Sequence, residues 1–139
     1  MNNIQKIKLL IITPTLQCGG SEKYVSILCN HINTEQFAVC LVVVNNAKQF
    51  YAITNRDIEV IDLKKGRVLL SLPAIKAVVK KFKPVIIFST ANHLNLYLAI
   101  LKNHFASGIK LIAREASIVS INSRQAKMAP PNLPMITLR

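Results

Sequence analysis

The chain has 139 residues, of which 51% are apolar and 17% charged, with 18 basic against 6 acidic side chains and a formal charge of +12. That length holds one domain with a real core and hardly two, and the composition excludes a disordered chain. The basic excess favours anionic partners, among them nucleic acid, acidic membrane surfaces and phosphorylated small molecules, without choosing between them.

Residues 6–13 are a β-branched and leucine-rich run of strand length that stops at Pro14. A loop with Cys18-Gly19-Gly20 follows, and Ser21-Glu22 opens a helix whose apolar residues Val25, Leu28, Cys29 and Ile32 recur at helical spacing. Residues 37–44 read as a second strand buried on both faces, ended by Asn45-Asn46. Residues 47–57 read as loop with one helical turn, residues 58–63 as a short third strand, and Lys64-Lys65-Gly66-Arg67 as a turn. A helix is predicted over 71–82, with Pro73 in its first turn and Lys76, Lys80 and Lys83 opposite its apolar face.

Lys83-Pro84 stops that helix, and residues 85–89 form a fourth buried strand. Thr90-Ala91-Asn92-His93 leads into a helix over 94–105 that is apolar nearly all round and therefore expected to be well buried. Residues 110–113 make a fifth strand, with Arg114-Glu115 at its carboxyl end. Residues 117–128 are polar and small, and the proline-rich residues 129–139 read as an extended linker or truncated tail after a domain over 1–128. The alternation predicts an α/β fold, a Rossmann-like parallel sheet with helices on both faces.

Cys18, Cys29 and Cys40 are odd in number and lack C-x-x-C spacing, so neither a disulfide framework nor a zinc site is expected, and a reduced, cytoplasmic compartment fits. Lys6, Lys8 and Cys18 around the first apolar run imitate a secretory or lipoprotein signal. The run is too short for one, Pro14 interrupts it, and Gln17 stands where a small residue is needed. No apolar run reaches spanning length, so membrane contact is expected to be peripheral. The lysines at 76, 80, 81 and 83, with Lys64, Lys65 and Arg67, are either a solvated face or a surface for anionic lipid, worth up to about 1 kcal/mol each. Nucleic-acid binding is not expected, because exposed aromatics and a recognition helix are missing from the basic segments.

Ligands of open α/β sheets gather at the carboxyl edge, which ranks the connectors after the first, second, fourth and fifth strands above all other segments. A dinucleotide site needs G-x-G-x-x-G and an acidic residue ending the second strand; the chain has Gly19-Gly20 alone, with Asn45 in the acid's place. A phosphate loop ending in Gly-Lys-Ser or Gly-Lys-Thr is also missing. The start K-I-x-x-I-x-P-x-L-x-x-G-G-S-E-K-Y, the strand K-P-V-I-I-F-S and the strand end A-R-E-A-S, in this order, resemble the amino-terminal half of retaining glycosyltransferases of family 4, which have the GT-B fold. The resemblance covers most of residues 5–120. Gly19-Gly20-Ser21-Glu22-Lys23 stands where the family typically has Gly-Gly-Ala-Glu-Arg.

The resemblance implies the acceptor-binding half of an enzyme that moves a sugar from a nucleotide-sugar to a polysaccharide or lipid-linked acceptor, with no metal or other cofactor. Gly19, Gly20 and Ser21 would lie near the donor's phosphates, because glycine lets backbone amides approach closely. The family's histidine after the fourth strand falls on His93, with Asn92 beside it as the alternative. Asn92, Arg114 and Glu115 would line the acceptor side. The donor domain, with its paired glutamates spaced E-x7-E, has no counterpart among Glu22, Glu35, Glu59 and Glu115. A truncated chain, inactive alone, is therefore expected. A different class remains open beside this one: a non-catalytic basic α/β module that binds a partner protein or a membrane surface. Arg114-Glu115 is either part of the site or a local ion pair worth about 0–1 kcal/mol.

Overall fold

A computed structural model describes residues 5–115. Five strands form one sheet in the order β3-β2-β1-β4-β5, with every neighbouring pair parallel. The strands are β1 (Ile7–Thr13), β2 (Phe37–Val43), β3 (Glu59–Asp62), β4 (Ile86–Ser89) and β5 (Lys110–Ala113). Between them lie α1 (Gly20–His31), α2 (Val68–Phe82) and α3 (Asn92–Leu101), the last continued by a 3-10 turn over Lys102–His104. The α/β, Rossmann-like class expected from the sequence is the one observed. The polar run at 117–128 and the proline-rich residues 129–139 lie outside the described residues.

The central position of β1 follows from its composition. Alternate side chains leave a strand on opposite faces, and β1 is apolar on both. Leu9 and Ile11 join Val39, Leu41, Val25 and Cys29 in one cluster, which places α1 on that face. Leu10 and Ile12 join Cys40, Val42, Ile75, Val79, Leu94 and Leu98 in the other, which places α2 and α3 opposite. Leu10, Ile11, Ile12, Leu41 and Ile87 are all inaccessible to solvent. Burial of each such side chain contributes about 1.5–3 kcal/mol. A polar substitution at Ile11 or Leu41 would place an unpaired group inside this three-layer packing.

Three local expectations are corrected. α2 starts at Val68, three residues before the predicted Ser71, so Pro73 lies inside the helix and not in its first turn. Val68 and Leu72 pack against the second core, and the Ser71 hydroxyl donates to the Val68 carbonyl. This burial outweighs the hydrogen bond to the Leu69 carbonyl that Pro73, lacking an N–H, cannot make. α3 is half exposed and not buried all round: Leu94, Asn95 and Leu98 face the sheet, whereas Leu96 and Ile100 are about 60% exposed. It covers the sheet on one side only. Residues 47–57 contain turns and no helix. They run across α1, where the Ser26 hydroxyl and the Asn30 amide donate to the Ala52 carbonyl and Asn30 Oδ1 accepts from Thr54 N–H.

Candidate functional site at the carboxyl edge

Parallel pairing brings the ends of β1 to β4 to one edge and continues beyond the strands. Val44 N–H donates to the Thr13 carbonyl at 3.1 Å, Asn45 N–H to Pro14 at 3.0 Å, and Lys65 N–H to Val44 at 2.9 Å. The β1, β2 and β3 connectors are thereby held side by side. Asp62 fixes the third turn, its Oδ1 accepting from Lys64 N–H at 2.9 Å and Asn46 N–H at 3.3 Å, with Lys64 at a positive φ of 52°. A cavity of about 530 Å³ opens here, lined by Pro14, Thr15, Asn45, Lys65, Arg67 and His93 among others. Gly66, Val68 and Leu69 bring the start of α2 to its wall, and His93 and Tyr97 bring the first turns of α3.

The electrostatics of the cavity follow from these helix starts. A helix amino terminus carries about half a positive charge and unpaired N–H groups. Neither α2 nor α3 has an acidic residue in its first turn or a side-chain cap. Lys65 and Arg67 add two cations to the same wall. The cavity is therefore suited to an anion, with His93 at its side.

The Gly19-Gly20 turn differs. Gly19 is the residue before α1, in extended backbone with φ −168°, and any residue type adopts that conformation. What sets Gly19 apart is space: a Cβ there would fall on the Glu22 carboxylate, which folds back over it. Glu22 Oε1 also accepts from the Thr15 hydroxyl at 3.3 Å. The positive end of α1 thus already faces a carboxylate, as a third-position glutamate favours. Gly20 has open space around it. Gly19, Gly20 and Ser21 lie at the same sheet edge as the cavity but do not line it.

The second connector covers this turn, which the sequence did not indicate. Phe50 and Tyr51 both donate N–H to the Leu16 carbonyl, at 2.8 and 3.0 Å. The Tyr51 hydroxyl is held above its ordinary pKa, first by burial, then by the Cys18 thiol and the Glu22 carboxylate, while the Gly19 backbone opposes the shift. Phe50 is 65% exposed and packs edge-on against Tyr51, with centroids 5.0 Å apart.

Arg114 and Glu115 form a separate arrangement at the end of β5. The Arg114 guanidinium lies 4.4 Å above the Tyr24 ring of α1, and the Arg114 backbone N–H donates to the Ser89 carbonyl at 2.8 Å. Glu115 Oε1 accepts from the Asn95 amide at 3.0 Å, and the same amide donates to the Arg114 carbonyl at 3.1 Å. The expected alternative of a local ion pair is corrected: each side chain takes another partner. Asn95, only 6% exposed, is the residue that sequence reasoning missed. An amide flanked by Leu94 and Leu96 in an apolar helix was its signal, since a buried polar group needs partners. Asn92 starts α3 but does not line the cavity, and neither do Arg114 and Glu115. The Ser89 and Thr90 hydroxyls beside them are buried without a partner among the described residues.

Among the described residues no group of three or more His, Cys, Asp or Glu is placed to hold a metal ion, and no helix is long and apolar enough to cross a membrane. Cys18 is exposed, whereas Cys29 and Cys40 are buried. No protein-family model matches the chain, and comparison with curated proteins finds no match.

Proposed function

We propose that the chain is the acceptor-binding half of a retaining glycosyltransferase of the GT-B kind, active together with a donor-binding domain. The reaction is transfer of a sugar from a nucleotide-sugar to a polysaccharide or lipid-linked acceptor at the cytoplasmic side of a membrane. The observation that carries this reading is the carboxyl-edge cavity that gathers Thr15, Asn45, Lys65, Arg67 and His93 from four connectors. Lys65 and Arg67, with the starts of α2 and α3, hold the anionic group of the acceptor, such as the phosphate of a lipid-linked sugar. His93 stands beside the reacting sugar. Gly19, Gly20 and Ser21 keep the neighbouring turn low, so that donor phosphates approach from across the cleft once the Glu22 carboxylate swings aside. Arg114, Glu115 and Asn92 flank the acceptor's path.

Amide shift mapping with a sugar 1-phosphate tests this reading. Shifts are expected at Thr15, Asn45, Gly66, Arg67 and His93, with affinity falling at least tenfold in Arg67→Ala and in His93→Ala. A sugar phosphate that leaves these amides unmoved refutes the assignment of the cavity. Sugar transfer from a labelled nucleotide-sugar by this chain alone refutes the division of labour between two halves.

A further inference from the structure

A second cavity lies at the opposite, amino edge of the sheet, away from every connector discussed above. It has a volume of about 690 Å³, between the last turns of α2 and the segment that links the 3-10 turn to β5. Val79, Val85 and Phe105 supply apolar walls, and Lys76, Lys80 and Lys83 stand around it. None of its lining residues is acidic. Lysines near a helix carboxyl terminus also offset the helix dipole. That accounts for Lys80, in the last turn, but not for Lys76 a turn earlier, nor for an apolar hollow beneath exposed ammonium groups.

We infer that this hollow binds an anionic amphiphile, its alkyl chain against Val79, Val85 and Phe105 and its phosphate or carboxylate among Lys76, Lys80 and Lys83. The volume is within the usual range for small-molecule sites. Lysine stems are themselves apolar and extend the walls, leaving only the ammonium groups in water. The inference does not rest on sugar transfer: occupancy at the amino edge leaves the carboxyl edge free, and failure of either assignment leaves the other standing.

The probe is dodecyl phosphate below its micellar concentration, titrated calorimetrically into the full chain. Saturable binding with one equivalent is expected, with amide shifts confined to residues 76–85 and 104–109. Butyl phosphate, which lacks the chain, and dodecyltrimethylammonium, which inverts the charge, are each expected to bind at least tenfold more weakly. Lys76→Glu/Lys80→Glu/Lys83→Glu is expected to lose at least tenfold in affinity, whereas Lys23→Glu/Lys48→Glu/Arg56→Glu, with the same change in net charge, keeps it. Equal loss in both triple variants would reduce the effect to the overall charge and overturn the site, as would equal binding of either control ligand. Cosedimentation with phosphatidylglycerol vesicles but not phosphatidylcholine vesicles identifies the amphiphile as a membrane lipid. Dodecyl phosphate binding without vesicle binding identifies it as a free monomer; both results uphold the pocket.

Discussion

Replacement of Asn95 by alanine tests how the end of β5 is held. The amide nitrogen donates to the Arg114 carbonyl at 3.1 Å and to Glu115 Oε1 at 3.0 Å, and the side chain is nearly inaccessible. A neutral buried hydrogen bond contributes about 1 kcal/mol net, and one to a carboxylate about 1.5–3 kcal/mol. Glu115 is exposed, so the lower end applies to the second bond. Among the described residues Asn95 Oδ1 is buried without a partner, and its removal returns part of a desolvation cost, about 1 kcal/mol. The balance is a destabilisation of about 1.5 kcal/mol, which lowers the melting temperature by about 5 °C for a chain of this size. Urea unfolding followed by circular dichroism measures it. Hydrogen exchange at the Arg114 amide, bonded to Ser89, should quicken as the strand end loosens. Asn95→Asp places a carboxylate oxygen against two acceptors and should cost more at pH 7 than Asn95→Ala. An alanine variant within about 0.5 kcal/mol of the parent, with unchanged exchange at Arg114, refutes the reasoning.

Pro73→Ala restores an N–H opposite the Leu69 carbonyl inside α2. A helix-interior proline costs about 3 kcal/mol relative to alanine, and proline's restriction of the unfolded chain returns up to about 1, so a gain near 2 kcal/mol in urea unfolding is expected, and no gain would place Pro73 outside the hydrogen-bonded helix. Burial pushes the thiols of Cys29 and Cys40 up to about 12 from 9.0, with Glu59 adding to the shift at Cys40 and Lys81 opposing it. Below pH 9 both states keep these protons; above it the unfolded chain loses them first, so stability falls by up to about 1.4 kcal/mol per pH unit for each thiol until about pH 12. Unfolding measured between pH 8 and 11 should show a shallower decline in Cys29→Ala/Cys40→Ala, and an unchanged slope would refute the burial argument. In native protein a thiol reagent should modify Cys18 alone.

The sheet was legible because β2 is apolar throughout and β1 is apolar from Leu9 to Ile12, which suits strands buried on both faces and little else. The helix boundaries were less so. Pro73 marked a start that Val68 and Leu72 override by packing into the core, a gain that only tertiary structure supplies. The apolar residues of α3 suggested full burial, but a helix on one side of a sheet hides only part of its circumference, and Leu96 and Ile100 remain outside. At the site, His93 could be singled out from its place after β4. Asn45 was reached with the connector after β2, but Lys65 and Arg67 were not, because strand register, not sequence distance, brings the third connector beside the others. The clamp of Phe50 and Tyr51 on Leu16 uses backbone groups, which leave no mark on residue type.

The central place of β1 also has a consequence for synthesis. Its neighbour on one side pairs Ile7 with Phe37, but on the other side Leu9 waits for Ile86. A chain emerging from the ribosome therefore carries β1 with one row of backbone donors and acceptors open until α2 has been completed. Such long-range closure slows folding, and an open apolar strand edge recruits other chains meanwhile. The segment from Val85 to Ser89 is thus the switch between a nascent chain prone to stick to its neighbours and one that is closed against them.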